Sequence, residues 1–318
     1  MRRFFRILHC FDRACSRGLT TSNSNSDPGS RQFSVIIPVH NDWNSLDGCL
    51  RALAQQEDGL KFEVIIVDDG SEEPAPDSIR HWNNRYPLSV VRQENAGVAA
   101  ARNRGIQDAS GDILVFTDAD CRFQPNCLSA LAATITAFPQ HSCFQLHIVG
   151  DCSNTVGRAE ELRLIAIQDQ MLLPDGHIRY LNTSGFAIRR SHFTLQEGRL
   201  FDPSILRGED TLLLVALIQR GDLPFFVSSA NVQHSISLSF TGCLRKDLQC
   251  AWLEGRTFEI IAATGVRMRM TNNERLRMLR TTWRLSRQPC RGRLAWIALV
   301  TRQLLERAIS LIYRGLHP

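Results

Sequence analysis

The chain has 318 residues, of which 43% are hydrophobic and 22% are charged, a composition that supports a sizeable folded core and excludes a mainly disordered protein. The net charge of +5 is unevenly spread, because residues 1–32 and 267–318 are rich in arginine and residues 33–266 are acidic. An acidic central region favours bound cations over polyanions, so we expect no nucleic-acid partner.

The ten cysteines form no CxxC pair and no regular spacing, which favours free thiols in a reducing compartment over a disulfide framework. No stretch of about 20 residues is continuously apolar, so the sequence predicts no transmembrane helix. The N-terminus, MRRFFRILHCFDRACSR, interleaves charged and apolar residues, unlike a signal peptide. We therefore expect a cytoplasmic protein, with peripheral contact to the inner face of the plasma membrane as an option.

The predicted elements begin after a basic N-terminal segment and linker at 1–32, which ends in a stretch rich in Ser, Asn and Thr. From Phe33 onwards, apolar runs rich in Val and Ile alternate with segments of helical length, as in strands buried on both faces of a parallel sheet. The predicted strands are 33–39, 62–68, 88–91 and 112–118, and the predicted helices are 43–56, 77–85, 97–108 and 125–138. This alternation predicts a doubly wound α/β domain with a mostly parallel central sheet.

The second half of the chain has a less regular pattern. It predicts a helix at 156–172, strands at 183–188 and 224–227, a helix that opens at Glu209, and a helical, arginine-rich C-terminal extension over 241–318. The last helix gathers apolar residues on one side, with Arg302, Glu306 and Ser310 on the other. Two interpretations are open: the apolar side packs on the rest of the protein, or the helix and the arginines before it lie at a membrane surface.

Polar clusters follow three of the predicted strands. PVHN ends the first strand, DDGS the second and DAD the fourth, at positions 38–41, 68–71 and 118–120. In an open α/β sheet, ligands bind at the carboxyl ends of the strands, so we expect these clusters to meet at one edge. Asp118 and Asp120 lie one residue apart, and two such carboxylates can both reach a divalent cation that also holds phosphate oxygens. The competing interpretation is a polar turn without a ligand.

Two further segments carry charged residues at helix starts. ENAGVAAARNRG, at 94–105, leads from a turn into a helix of small residues that carries Arg102, a side chain suited to lie near a nucleotide. GED, at 208–210, directly precedes the apolar run TLLLVALI. Its acids can supply a general base, or they can simply favour the start of the helix through its dipole.

These segments together resemble the family 2 glycosyltransferases, which have the GT-A fold of nucleotide-diphospho-sugar transferases. The resemblance covers residues 33–236 and rests on five elements in the family's order: VIIPVHN, VDDGS, NAGVAAARNRG, DAD after a strand, and GED. It implies a GT-A domain over 33–240, with a nucleotide-binding half at 33–122 and an acceptor half at 123–240.

The resemblance also implies a role for each motif residue. Asp210 takes the catalytic place, as general base toward the acceptor hydroxyl. Asp120 and His234 take the place of ligands to Mg²⁺ or Mn²⁺. The nucleotide-sugar-binding positions are Pro38, His40, Asp69, Arg102 and Asp118, and the acceptor-side positions are Gly185 and Glu209. His40 departs from the aromatic residue that is familiar at its place, and Ala216 from an arginine that often follows the ED pair.

We therefore expect an inverting, metal-dependent transferase that moves a sugar from a nucleoside-diphosphate sugar to an acceptor hydroxyl. A UDP-sugar is the favoured donor, and the acceptor is a glycan or a lipid-linked molecule in surface glycan or glycolipid synthesis. Two alternatives stay open. A catalytically silent nucleotide-sugar-binding subunit would keep the same motifs. A nucleotidyltransferase would share a similar sheet and a metal, although PVHNDWNS is not the Gly-rich basic loop expected after its first strand.

Overall fold

The computed structural model describes residues 32–57, 59–151, 153–192, 199–235, 240–268, 270–288 and 292–316. The predicted basic N-terminal segment and linker at 1–32 lie outside these residues, except for Gln32. None of the helices in the described ranges is both long and apolar enough to cross a membrane.

A mixed, mostly parallel sheet organises the described part of the chain. Its strands are β1 (Phe33–Val39), β2 (Phe62–Asp69), β3 (Leu88–Gln93), β4 (Ile113–Phe116), β5 (Cys121–Phe123), β6 (Cys143–Gly150), β7 (Phe186–Arg189) and β8 (Phe225–His234). They lie in the order β3-β2-β1-β4-β7-β6-β8-β5. Neighbours among β1 to β4 run parallel, as do β6 and β8, whereas β7 and β5 run antiparallel to their neighbours. The predicted fold class is confirmed.

Helices cover both faces of this sheet and continue beyond it. They are α1 (Trp43–Leu53), α2 (Val98–Asp108), α3 (Cys127–Ala137), α4 (Thr155–Met171), α5 (Glu209–Arg220), α6 (Phe240–Ala263), α7 (Asn272–Ser286) and α8 (Arg293–Leu316). Val35 and Ile37 of β1 belong to the core formed with α1 and α3, whereas Ile36 belongs to the core formed with α2 and α5. Both faces of β1 are buried, which explains its unbroken apolar run.

Two predicted elements differ in type. The helix predicted at 77–85 is a 3₁₀ helix, Asp77–Asn84. Its buried side chains, Ile79 and Trp82, are three residues apart, and the three-residue period of a 3₁₀ helix places both on one side. The strand predicted at 183–188 begins as a turn, because the Asn182 side chain accepts a hydrogen bond from the Ser184 N–H, and β7 starts only at Phe186.

The region from 121 to 234 holds strand residues that the sequence pattern did not predict. β5 and β6 were missed, and β8 continues to His234, well beyond the predicted end at 227. In β6, the fully buried Gln145 interrupts the apolar run, but its amide is satisfied because it donates to Gly185 O at 2.9 Å and accepts from Asn182 N at 2.8 Å. A strand that contains a buried, hydrogen-bonded polar residue is therefore missed when strands are predicted from hydrophobicity alone.

The last two helices, α7 and α8, rest on α4. Ala159 and Leu162 of α4 pack against Ala295, Ala298 and Leu299 of α8. On the same side of α8, Arg302 is buried and lies 3.9 Å from the buried Glu160. The apolar row on the opposite side is exposed at Leu294 (72%), Ile297 (53%), Leu304 (62%), Leu311 (56%) and Ile312 (57%). The interpretation in which this apolar side packs on the rest of the protein is therefore wrong, because the side that carries Arg302 faces inward.

The buried Asn103 of α2 fastens the loop that leads into α5. Its amide donates to Phe201 O at 2.7 Å, and its carbonyl accepts from the N–H groups of Leu200 and Phe201, each at 3.0 Å. The Phe201 ring then packs edge-on against Phe116 of β4, with ring centroids 5.2 Å apart. One side chain thus connects α2 to the loop that precedes α5.

We expect Asn103→Ala to lower the free energy of unfolding by about 2–4 kcal/mol, because it leaves two N–H groups and one carbonyl without their partner. Urea unfolding followed by circular dichroism measures the change. Arg104→Ala is the matched control, since the Arg104 side chain is 46% exposed and pairs with Asp108 on the surface; it should cost less than about 0.5 kcal/mol. Equal losses in the two variants would contradict this role of Asn103.

Candidate active site

The polar clusters that follow β1, β2 and β4 lie at one edge of the sheet. The parallel registers pair Val39 with Asp68 and Ile36 with Phe116, so the residues after these strands emerge together. His40 is exposed, and its ring is held over the end of β2 because Nδ1 lies 2.9 Å from Asp69 O. The partly buried Pro38 lies just before it on β1. The structure thus brings the predicted nucleotide-binding residues of the first two strands to one rim.

Asp69 is buried at this rim and organises the turn before α2. Its carboxylate accepts from Ala96 N and Gly97 N, each at 2.9 Å, and from Gln93 Nε2 at 2.8 Å. Gly97 has a φ of 88°, a conformation that favours glycine. Asp69 therefore fixes the backbone beside His40. Its predicted contact with a nucleotide base stays a prediction.

Arg102 forms a buried ionic bridge across the middle of the site. One guanidinium nitrogen donates to Asp118 Oδ1 at 2.8 Å and another donates to Glu209 Oε1 at 2.6 Å. Burial alone would lower the pKa of Arg102, but the two carboxylates raise it above its ordinary value, so the side chain stays charged. The side chain is only 3% exposed. The described geometry thus makes Arg102 a positioning residue beneath the site, and its predicted nucleotide contact stays a prediction.

Asp118 is held in its ionised form from two sides. Burial raises its pKa, but Arg102 and the hydroxyl of Ser184 outweigh burial and bring the pKa below its ordinary value. Ser184 Oγ donates to Asp118 Oδ2 at 2.7 Å. The next residue, Gly185, is buried, and a Cβ there would lie 2.4 Å from Ile148 Cδ1, so close packing requires glycine. The predicted acceptor-side role of Gly185 stays a prediction.

Asp120 and His234 face each other across two neighbouring strands. β5 pairs antiparallel with β8 and sets Cys121 opposite His234, which brings His234 Nε2 to 3.3 Å from Asp120 Oδ2. Burial would lower the pKa of His234, but its hydrogen bond to Asp120 and the nearby carboxylates raise it. Both side chains remain partly exposed. A carboxylate oxygen and an imidazole nitrogen in this arrangement are suitable ligands for a divalent cation.

Cys121 lies close enough to be considered a third ligand, since a sulfur or oxygen or nitrogen atom of each of Asp120, Cys121 and His234 falls within 4.8 Å of the others. The thiol is fully buried, and burial together with Asp118 and Asp120 raises its pKa well above the ordinary value. A metal ligand must be the thiolate. Asp120 and His234 therefore fit a cation better than Cys121 does.

Asp210 lies in the first turn of α5, next to the carboxylate that pairs with Arg102. Gly208 just before the helix has a φ of 84°, and Thr257 of α6 supports this turn by donating to Arg207 O at 2.6 Å. Burial raises the pKa of Asp210 from 3.8 to about 6, and the neighbouring charge of Glu209 adds to the effect. A carboxylate with such a pKa can accept a proton near neutral pH. The negative charge of Asp210 also interacts favourably with the dipole at the start of α5. The two interpretations of GED, as a general base and as a helix start, are therefore compatible.

Sequence reasoning missed three residues that shape the site. Ser184 lies in a segment that was predicted as a strand, so neither its turn nor its hydrogen bond to Asp118 was expected. Asn95 Nδ2 lies 3.3 Å from both ring nitrogens of His40, and only its place in the ENAG turn hinted at this. Thr257 had no local signal, because its contact with Arg207 joins residues 50 positions apart.

Comparisons with known proteins identify the family of this chain. The sequence model of the Glycosyl transferase family 2 matches residues 34–195. The uncharacterized glycosyltransferase YfnE of Bacillus subtilis (strain 168) is 42% identical over 88 residues, which cover 27% of this chain and 22% of the relative. Across the first three curated relatives, the match spans only 22% to 35% of the relative's length.

Two solved structures share the fold over most of the chain. The mannosyltransferase PcManGT from Pyrobaculum calidifontis, in complex with GDP-Man and Mn²⁺, gives a TM-score of 0.55 at 18% identity and covers 98% of this chain and 88% of the other. TarS 1-349 from S. aureus, in complex with UDP-GlcNAc, gives 0.53 at 18% identity and covers 89% of each chain. Because the family match extends over residues 34–195, the chain belongs to glycosyl transferase family 2, and the likeness to these two structures shows that it has the GT-A fold.

Proposed function

We propose that this protein transfers a sugar from a nucleoside-diphosphate sugar to an acceptor hydroxyl, with inversion at the anomeric carbon and with a divalent cation. The observation that carries this proposal is the Arg102 bridge. It joins Asp118, at the strand end beside the Asp120–His234 pair, to Glu209, which directly precedes Asp210. The bridge keeps a cation-binding group and a candidate base at one edge of the sheet.

The donor side of the proposal rests on the rim around β1 and β2. His40 offers an exposed ring face, and Asp69 holds the turn at Ala96 and Gly97 beside it. A planar base can stack on such a ring, and a UDP-sugar is the donor we favour. UDP-GlcNAc in TarS and GDP-Man in PcManGT support a nucleotide-sugar as the class of ligand.

The Asp120–His234 pair is the proposed cation site. The mixed oxygen and nitrogen donor set fits Mn²⁺ at least as well as Mg²⁺, because imidazole is a better ligand for transition metals. When bound, the cation would neutralise the negative charge of the departing diphosphate. Asp118, which Arg102 and Ser184 keep ionised, adds negative charge beside this pair.

Asp210 is the proposed general base. As the acceptor oxygen forms its bond to the anomeric carbon, the bond from that carbon to the diphosphate oxygen breaks, and the hydroxyl proton passes to the Asp210 carboxylate. A single displacement of this kind inverts the configuration. Glu209 is engaged by Arg102 and therefore positions the start of α5, while Asp210 carries the pKa of about 6 that suits proton transfer.

For the acceptor we propose a glycan or a lipid-linked molecule, used in surface glycan or glycolipid synthesis at the cytoplasmic side of a membrane. Two observations support this setting. Cys49, Cys121, Cys127 and Cys143 are free thiols, as in a reducing compartment. The exposed apolar row of α8 next to a basic helix suits a membrane that carries such acceptors.

Turnover of a donor panel tests the proposed function. With Mn²⁺ present, we expect the protein to release nucleotide from at least one UDP-, GDP- or dTDP-sugar and to stop when EDTA removes the cation. Asp120→Asn and His234→Ala should each weaken Mn²⁺ binding about tenfold or more, because the first removes the negative charge of a ligand and the second removes a ligand. Isothermal titration with Mn²⁺ in the presence of UDP measures this loss directly.

His81→Ala is the control for the metal variants, since His81 is exposed on the 3₁₀ helix Asp77–Asn84. It should bind Mn²⁺ like the wild type. If Asp120→Asn and His234→Ala also bind Mn²⁺ normally, the cation site is misplaced. If nucleotide-sugars bind but none is turned over, the protein is a silent binding subunit.

Asp210→Asn tests the general base. We expect donor binding to persist and turnover to fall by about 10²–10⁴-fold, because the amide cannot accept the proton. In the wild type, kcat/KM should rise with pH, reach half of its plateau near pH 6, where Asp210 is half deprotonated, and level off above that pH. Stopped assays across pH 4.5–8, about the range in which a general base of this kind titrates, give the profile.

The exposed Asp202, in the loop before α5, supplies the control variant Asp202→Asn, which should keep the wild-type profile. A stability measurement gives an independent check. Because folding raises the pKa of Asp210, its contribution to stability is full below its unfolded pKa of 3.8 and is lost as pH rises through about 6. Asp210→Asn should therefore be more stable than the wild type at pH 8 and similar to it at pH 4. Unchanged pH profiles in Asp210→Asn would contradict the assignment.

A further inference from the structure

Helix α7 turns a strongly basic face to solvent. The exposed side chains of α7 and its C-cap, Arg287, include four arginines and two large apolar residues: Arg277, Arg280, Arg284, Arg287, Leu276 and Trp283. These positions recur at intervals of three and four residues and so share one side of the helix. Met278, Thr282 and Ser286 are buried on the other side. The acidic residue of α7, Glu274, is bound in a capping box with Thr271.

The positive charge of this face is not neutralised by ion pairs with the described residues. Among the described residues, none of the four arginine side chains takes part in an ion pair with a carboxylate. Four uncompensated guanidinium groups on about three helical turns create a local positive potential that attracts anionic groups.

The exposed apolar row of α8 is fixed to this basic helix. Trp283 of α7 contacts Trp296 of α8, with ring centroids 4.8 Å apart, and Trp296 Nε1 donates to Thr282 Oγ1 at 3.2 Å. α8 then carries the exposed row from Leu294 to Ile312. A groove of about 490 Å³ between α6 and α8, lined by Leu248, Leu253, Ile309 and the polar Gln249, adds further, mostly apolar, surface.

We propose that α7 and α8 together dock the protein on an anionic phospholipid membrane. Arginine side chains bind lipid phosphates, and Trp and Leu side chains insert at the boundary between headgroups and acyl chains. The α8 row supplies the apolar area that a purely ionic contact lacks. Arg302 faces inward to Glu160, so docking leaves the contact of α8 with α4 intact.

Charge decides between a membrane and a second copy of this chain as the occupant of this surface. A symmetric dimer would use this same patch on both copies, so its interface would gather four arginines from each copy, and these would repel. An anionic bilayer offers the opposite charge over a broad area. The docking surface does not depend on the proposed transfer reaction, since lipid binding requires neither donor nor cation.

Vesicle co-sedimentation of the full chain tests the proposal. We expect binding to vesicles of phosphatidylcholine with about 30% phosphatidylglycerol, weak binding to pure phosphatidylcholine, and a decrease as salt screens the arginines. Arg280→Glu/Arg284→Glu should reduce the partition coefficient about tenfold or more. Leu304→Ser/Leu311→Ser should also reduce it while leaving the salt dependence in place.

Arg80→Glu/Arg85→Glu is the matched control, because both arginines are exposed near the 3₁₀ helix after β2 and the net charge changes equally. It should bind vesicles like the wild type. Equal losses in the two arginine double variants would overturn the proposal, because net charge alone would then explain binding. So would a wild type that ignores phosphatidylglycerol, or a dimer in analytical ultracentrifugation that Leu304→Ser/Leu311→Ser dissociates. Donor turnover without vesicles should be unchanged in Arg280→Glu/Arg284→Glu. A wild-type protein that binds vesicles but turns over no donor would contradict only the proposed function and would leave the docking proposal standing.

Discussion

The buried guanidinium of Arg102 is the interaction on which the site depends. It binds Asp118, which follows β4, and Glu209, which opens α5, so one side chain joins the sheet to the helix that carries Asp210. Arg102 and Glu209 are charges taken almost fully out of water, which is costly, and removing one partner of such a buried pair typically costs about 3–5 kcal/mol. The geometry is therefore strongly specified: Asp118 stays ionised, and Asp210, close to Glu209, keeps a raised pKa.

The sequence predicted the first half of the fold well, because strands buried on both faces read as unbroken apolar runs, as in β1 and β2. It predicted the later strands poorly, since β6 buries the polar Gln145, whose partners lie 37 and 40 residues away. Motif order indicated the sheet edge and its acids, but not the ion pairs between them. The partner of Arg102 in α5 lies 107 residues away, and only the folded chain reveals it.

The C-terminal helices serve the site and present a second surface. α6 supports the turn before Asp210 through Thr257, and α8 sends Arg302 toward Glu160 on α4. Because the small residues of α8 face α4, its large apolar residues are left outside. An amphipathic pattern in sequence shows that a helix has two sides, but which side faces the protein depends on the partner helix. Here α4 offers alanine, leucine and a carboxylate, and it therefore binds the side of α8 that carries Arg302.

The pH profile of donor turnover in Arg102→Met, with Arg102→Lys beside it, tests the central role of this bridge most directly. Arg102 lowers the pKa of Asp210 through its positive charge, although burial and Glu209 outweigh it. We expect Arg102→Met to be less stable and its acid limb to move above that of the wild type, because that charge is lost, whereas Arg102→Lys should stay close to the wild type. An Arg102→Met protein with wild-type stability and an unshifted acid limb would contradict the proposal that this bridge organises the site.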